Sequence, residues 1–367
     1  MIACVLVDCQ PGALAKDDVI SVQLFEAHRP VRQVQIRPPF EIVQSGTVSL
    51  VTRPVRLEAE QGQLYIRNAN KKRRPLNPPF FIRGSGRQPV TLVVPPVAPR
   101  SYRGDILIGL SRGESLQIIN RVHLRDYIND VVASEMPPKT PSEALKAQAV
   151  LVQTALTHRE QLSELGDSTE HQCYLGATAE RPEVTSSVSS VWGKILCYQG
   201  TPVVAYYHST CAGGTSAAAE YFGLDPGSLP YLKAVGCANC RHSPFWKPTR
   251  KEIPMAIFAQ VFGDGVPTIL KRDAAGRPLS VKLANGRLLT GYKFWIELGK
   301  SFGWDKAPGT RYSLVKGLSD KIVIESTGAG HGVGFCQWGA NGLAETGKSY
   351  EEILQYYYPG CQVCGRH

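Results

Sequence analysis

At 367 residues, with 43% apolar and 20% charged residues, the chain has the profile of an ordinary globular protein able to bury a sizeable core. A net charge of +10 and a pI near 9.1 favour acidic partners through long-range steering, and charge alone does not choose among nucleic acid, anionic lipid and anionic cell-wall polymer. No segment reaches the roughly 18 continuous apolar residues of a membrane-spanning helix. The opening MIACVLVDCQPG is too short for an intact signal peptide, and no basic residues precede its apolar run.

From residue 18 to 100, apolar and polar positions alternate in short runs at 19–25, 31–36, 47–51, 64–66 and 90–94. Gly and Pro separate them, which predicts a small β-rich unit. Pro95, Pro96 and Pro99 mark a boundary, dividing the chain into a β-rich region 1–95 and a second domain 96–367. Inside the first region, Lys71-Lys72-Arg73-Arg74 is the densest basic run and reads as a solvated loop. No RNA-binding signature or zinc-finger array stands near it, so nucleic acid is not the expected partner. Two strands follow, at 105–110 and 115–120, and then two helices at 124–136 and from 140 onward. Strands return at 194–198 and 203–207, a helix at 251–262, strands at 279–283 and 322–325, and a last helix at 349–357. No repeat at solenoid spacing is visible. The class is α+β.

The two central helices carry the strongest signals. Leu124, Tyr127, Ile128, Val131 and Val132 fall on one helical face. Glu135, four residues after Val131 and seven after Ile128, shares that stripe. A carboxylate held against apolar neighbours has its charged form disfavoured, which suits a general acid. Pro137 and Pro138 end the helix there and bring Glu135 to a terminus facing a cleft or loop. The plainer reading is an exposed last-turn glutamate. In the second helix Thr140 is a good N-cap, Pro141 suits the first position and Glu143 completes a capping box. Leu145, Ala149, Val152 and Leu156 form its apolar face; Lys146 and Gln153, seven apart, share a face that would present a cation and an amide toward Glu135, or else be a solvated stripe.

Further on, Ser209–Thr215 joins a hydroxyl-rich turn to Gly213 and Gly214, where backbone N–H groups approach a ligand closely. A tight turn between strands is the alternative. In GAGHGVG at 328–334, four glycines flank His331, a poor core element; His331 reads as a loop-presented polar group with Gln337 following, or as a bend whose histidine caps a carbonyl. Ten cysteines include Cys237-x-x-Cys240 and Cys361-x-x-Cys364, which together would make a four-thiolate zinc site. His208, Cys211 and His242 offer another cluster, disulfides remain open for an exported protein, and Cys4, Cys9 and Cys197 carry no signal.

The run YINDVVASEMPPKTPSEALKAQAV resembles the signature of the stage II sporulation protein D / LytB (SpoIID) family. The other blocks follow in order from about residue 95 to 360: Tyr102-Arg103-Gly104, IINRVHLRDYI, HSTCAGGT at 208–215, Tyr231-Leu232, and HGVGFCQWGANGLAETGKSYEEILQYYYPG. The resemblance implies a lytic transglycosylase that cuts peptidoglycan glycan strands, particularly strands free of stem peptides, or, as in LytB-type members, an enhancer of an amidase. A carbohydrate-binding module without chemistry is the third reading.

Under that resemblance Glu135 is the catalytic acid. Hydrolytic glycosidases need two carboxylates. Asp130 points elsewhere on the helix and Glu143 is committed to a cap, so one well-placed carboxylate is left. One carboxylate suits a transglycosylase, in which the muramyl 6-hydroxyl attacks internally and leaves a 1,6-anhydro end. Lys146 matches a family basic residue; Gln153 stands where the family usually carries arginine, which removes a charged donor. Ser209, Gly213, Gly214, Thr215, Tyr231, His331 and Gln337 are the expected substrate contacts. Some relatives hold zinc beside the glutamate through a histidine and a C-x(5)-C-Q-type pair; here Leu165 and His171 occupy the cysteine positions, leaving His158, His171 and Cys173 as the candidate set. No cofactor is required, and zinc, where present, would be structural. The expected partners are glycan strands and an N-acetylmuramoyl-L-alanine amidase. The expected location is the cell envelope (periplasm or outer face of the cytoplasmic membrane), which implies export, with a leader already removed or the start of the sequence trimmed.

Overall fold

The alternating segments of the first hundred residues fold as strands. The computed structural model describes residues 18–68, 72–111, 114–158, 165–169, 171–318 and 320–365. Cys4, Cys9, Lys71 and the opening apolar run lie outside them. Of the described residues, 27% are helical and 36% lie in strands and bridges, an α+β fold rich in β-structure.

The chain forms two compact units. The first comprises residues up to 138 together with 156–192. Its strands are β1 (Val19–Gln23), β2 (Gln33–Arg37), β3 (Phe40–Gln44), β4 (Thr47–Val51), β5 (Val55–Glu60), β6 (Gln63–Arg67), β7 (Arg73–Leu76), β8 (Phe80–Gly84), β9 (Val90–Val93), β10 (Arg100–Tyr102), β11 (Asp105–Ser111) and β12 (Ser115–His123). They form a six-stranded sheet in the order β10-β9-β2-β5-β6-β7 and, together with the short β13 (Leu165–Gly166), a seven-stranded sheet in the order β13-β1-β12-β11-β8-β3-β4. Pairing is antiparallel except between β1 and β13. Period-2 alternation hides one face of each strand: Val34 and Ile36 on β2, Ile106 and Ile108 on β11 are fully buried while their neighbours are not. The expected break at Pro95–Pro99 falls inside this unit. β10 to β12 complete the sheets begun by β1 to β9, and hydrogen bonding across residue 95 overrides the punctuation by proline. Arg73 and Arg74 lie on β7, an exposed edge strand in place of the expected loop.

Helix α1 (Leu124–Glu135) follows β12 directly and buries Leu124, Tyr127, Ile128, Val131 and Val132, as its period predicts. It stops because Pro137 disfavours helical φ/ψ at the residue before it, and Met136 is extended at φ −96, ψ 133. The chain then contributes α2 (Ser142–Ala155) to the second unit and returns for α3 (Pro182–Ser190).

The second unit comprises 139–155 and 193–366. Ten of the fourteen residues of α2 are buried, so it is a core helix with no broad solvated face. Beside it, β14 (Lys194–Tyr198) pairs with β15 (Thr201–Pro202) and β26 (Gln362–Gly365), and a Cys197–Cys364 disulfide ties the chain end to β14. Between them come β16 (Tyr207–His208), β17 (Gly213–Gly214), α4 (Ala218–Phe222) and β18 (Gly236–Cys237). The expected strand at 203–207 is reduced to the bridge β16, which pairs in parallel with β25 (Phe335–Cys336).

Residues 249–327 carry a core of their own. It is built from β19 (Thr249–Pro254), α5 (Met255–Phe262), β20 (Thr268–Arg272), β21 (Pro278–Lys282), β22 (Leu288–Thr290), α6 (Gly291–Phe302), β23 (Arg311–Lys316) and β24 (Lys321–Thr327). Phe258, Phe262, Phe294, Trp295 and Ile324 centre it. The helix expected from residue 251 is a strand up to Pro254, paired with β24. The chain ends with α7 (Gln337–Glu345) and α8 (Tyr350–Tyr357), the latter opened by a full capping box from Ser349 and Glu352.

Candidate active site

Glu135, half-buried at the last position of α1, belongs to the first unit. Residues 165–169 and 171–181 shape its surroundings. Asp167 accepts the backbone N–H groups of Phe25 (2.7 Å) and Glu26 (3.0 Å) and a guanidinium N–H of Arg100 (3.0 Å), which pins this segment to the start of the chain. The segment then passes α1, where the backbone N–H of Cys173 donates to Glu135 Oε1 at 2.7 Å and that of Leu175 to Ser134 Oγ at 3.1 Å. Arg181 donates to the Met136 carbonyl at 3.0 Å, satisfying a helix-end acceptor and placing a cation at the negative end of the α1 dipole. Burial, reinforced by the Glu135 carboxylate, pushes the Cys173 thiol up to about 12, so it stays protonated beside the glutamate.

The other carboxylates of α1 are placed differently. Asp130 is fully buried, neither of its oxygens has a hydrogen-bond partner among the described residues, and burial with the charges of Glu180 and Asp126 pushes its carboxyl well above the usual range. The charge of Arg103, which is paired with Glu180, opposes that shift. Asp126 is half-buried, its carboxyl also raised by burial.

The remaining expected contacts lie in the second unit. Lys146 is half-exposed and pairs with Glu143 at 2.6 Å, whose other oxygen accepts the Tyr350 N–H at 2.8 Å. Glu143 therefore links α2 to α8. Gln153 is 4% exposed; its amide donates to Ala149 O and accepts from the Gly193 N–H. It supports the backbone and presents no amide to solvent, because α2 is buried almost all round. Tyr231 is also buried, with its hydroxyl on the Val204 N–H, and Gln337 is buried at the start of α7.

The turn at 209–215 is largely internal. Thr210 bonds Ser243 at 2.6 Å and Thr215 exchanges hydrogen bonds with Val235, which leaves Gly213 exposed and Ser209 and Gly214 half-exposed. A group with no motif holds it: Arg277, 1% exposed, donates to the carbonyls of Cys211 and Gly214 and to the hydroxyls of Thr310 and Ser216. Its only sequence context is a tight AAGRP turn. Gly332 lies against it at φ +78, where a Cβ would stand on the guanidinium. His331 accepts the Val333 N–H at Nδ1 and donates from Nε2 to Tyr207 O at 2.8 Å, which fixes the neutral tautomer. Burial pushes it down to about 4. The histidine capping a carbonyl is thus the reading the geometry favours.

The zinc set implied beside the glutamate does not assemble. His158 is exposed after α2, His171 lies 3.7 Å from Glu26, and Cys173 meets Glu135 through its backbone. Among the described residues, metal-ligating atoms gather at Cys211, Cys237, Cys240 and Cys336 instead, all four sulfurs within 4.8 Å of one another. The Cys237/Cys240 pair thus finds partners other than Cys361 and Cys364: Cys364 is in the disulfide and Cys361 is a separate buried thiol. His208 is buried and bonded to Val333 O, and His242 is exposed. Cys211 and Cys336 sat inside two motif blocks, which was the available signal.

The family model described as "Stage II sporulation protein" matches residues 112–198, spanning α1, α2 and Glu135. The chain is 31% identical over 275 residues to stage II sporulation protein D of Bacillus subtilis (strain 168), covering 67% of this chain and 76% of that protein. It is 29% identical over 279 residues to an uncharacterised protein of Brachyspira hyodysenteriae (strain ATCC 49526 / WA1), covering 71% and 72%. Similarity to the amidase enhancer of Bacillus subtilis (strain 168) is 26% over 284 residues, 64% of this chain but 39% of that protein. On this breadth of identity around the segment that builds α1 and α2, the chain belongs to the stage II sporulation protein D (SpoIID) family.

Proposed function

We propose that this cell-wall-acting protein is a lytic transglycosylase that cleaves peptidoglycan glycan strands free of stem peptides, with Glu135 as acid and base. The observation that carries the reading is the position of Glu135: half-exposed at a helix end and held by the Cys173 N–H, while its helix neighbour Asp130 is fully buried. A transglycosylase needs no activated water, so a half-exposed carboxylate at this helix end is sufficient for the reaction. Glu135 gives its proton to the glycosidic oxygen as the C1–O bond breaks. The 6-hydroxyl of the same muramyl residue then attacks C1 and returns its proton to Glu135, which closes the 1,6-anhydro ring and restores the acid. No cofactor enters these steps. The Cys197–Cys364 disulfide supports an extracytoplasmic setting, the envelope in which such strands are found. Incubation with purified glycan strands, read by mass spectrometry, tests the proposal: anhydro-muramyl ends are expected, and reducing ends or intact strands would overturn it.

One observation favours a second reading. Gln153, where the family usually has arginine, is buried on the backbone of its own unit, and the chain resembles an amidase enhancer. A non-catalytic protein that binds strands and stimulates an N-acetylmuramoyl-L-alanine amidase would leave strands intact alone and accelerate stem-peptide release when the amidase is added.

A further inference from the structure

We propose that Cys211, Cys237, Cys240 and Cys336 bind one structural zinc ion as a four-thiolate site. The sulfurs lie within 4.8 Å of one another, Cys211 and Cys240 at 3.5 Å, and none of the four residues is more than 2% exposed. A single tetrahedral zinc with Zn–S bonds of about 2.3 Å holds its sulfurs about 3.8 Å apart, which matches this spacing. In a four-iron cluster each thiolate binds a different corner iron, so its sulfurs stand farther apart than these.

The surroundings are those of thiolates. Cys336 is the N-cap of α7, and its sulfur accepts the N–H groups of Gly339 at 3.4 Å and Cys211 at 3.3 Å. The buried Tyr357 hydroxyl lies 3.2 Å from Cys237 Sγ. Donors aimed at ligating sulfurs are the outer-shell contacts that orient ligands and stabilise their charge. Zinc with four thiolates carries a net charge of −2, and the buried guanidinium of Arg277, bonded to the Cys211 carbonyl, is a cation within the same packed region. Gly339 leaves the room this needs, since a Cβ there would strike Cys237 Sγ and Tyr357.

The site is assembled from the turn after β16, the CxxC turn after β18 and the β25–α7 junction, so a closed ion would tie together three segments of one unit that share little regular structure. It is independent of the glycan-cleavage reading. In an oxidising compartment it would also keep four cysteines from pairing while Cys197 and Cys364 are joined.

Metal analysis and native mass spectrometry of the full chain, purified without added metal, should find one zinc per molecule. Cobalt substitution should give the ligand-field spectrum of a tetrahedral thiolate site. Cys240→Ser and Cys336→Ser should each lose the metal, and Cys361→Ser should retain it. Should the first two variants fail to fold, alkylation of the wild-type chain decides: the four thiols should be protected until a chelator is added under denaturing conditions. Metal-free native protein, two disulfides among the four cysteines, iron in place of zinc, or full zinc in the Cys336→Ser variant would each overturn the assignment.

Discussion

The backbone N–H of Cys173 donates to Oε1 of Glu135 at 2.7 Å, so the glutamate is positioned by a segment thirty-eight residues further along the chain. The neighbouring thiol is inert at neutral pH, and it is the Cys173 backbone that serves the glutamate. Glu135→Gln keeps an acceptor for that N–H but cannot deliver a proton. Strand cleavage should fall by ~10²–10⁴-fold, the usual worth of general acid–base catalysis, with the melting temperature essentially unchanged. Cleavage near the wild-type rate would remove Glu135 from the mechanism.

Asp130 sets stability against pH. Its folded carboxyl titrates well above the unfolded value of about 3.9, so the folded state holds the proton more tightly. Its contribution is therefore most favourable at low pH and is lost as pH rises through the folded value. At pH 7 the buried group, without hydrogen-bond partners among the described residues and facing Asp126, Glu180 and Arg103, is a cost. Asp130→Asn removes the ionisable group and should raise stability at pH 7. Denaturant melts at several pH values should show that gain shrinking toward pH 4; a gain independent of pH would contradict the argument.

How much of this was legible follows from which interactions are local. The burial of α1 and its stop before Pro137 are written in a short stretch of chain, and both were readable. So were the alternating strands and α8. The strand ending at Pro254 reads as helix in the sequence because its pairing with β24 involves residues about seventy positions away. α6 does not stand out in the sequence although it carries a Thr290 N-cap and an apolar face, because it sits among strand-like runs. For the candidate site, the place of Glu135 at the end of α1 is legible from the stop before Pro137, whereas Arg277 has no motif and the partners of the Cys237/Cys240 pair come from segments chosen by tertiary packing.

Gly332 and Gly214 should respond oppositely to substitution. Gly332 has φ +78 and its missing Cβ makes room for the Arg277 guanidinium, so Gly332→Ala forces backbone strain of about 1–2 kcal/mol plus displacement of a buried cation. A marked fall in melting temperature is expected. A Cβ on Gly214 would have neighbours only at 3.5 Å and beyond, so Gly214→Ala should fold normally. Any loss of glycan-strand affinity in that variant, measured by sedimentation with strands, would then report contact at the half-exposed turn. Normal affinity would take Gly214 off the list of substrate contacts.

The Cys197–Cys364 disulfide closes a loop of 167 residues of sequence separation and fastens β26 to β14. A crosslink over so long a loop restricts the unfolded chain strongly, and removing a native disulfide typically costs about 2–5 kcal/mol. Cys197→Ser should lower denaturant stability by that amount while leaving Glu135, in the other unit, with its Cys173 contact. Strand cleavage per folded molecule should therefore persist below the new melting point. A reducing agent should destabilise the wild type to the level of the variant and have little further effect on the variant itself. Equal sensitivity of both proteins to the reductant would show that another cysteine pair carries the stabilisation.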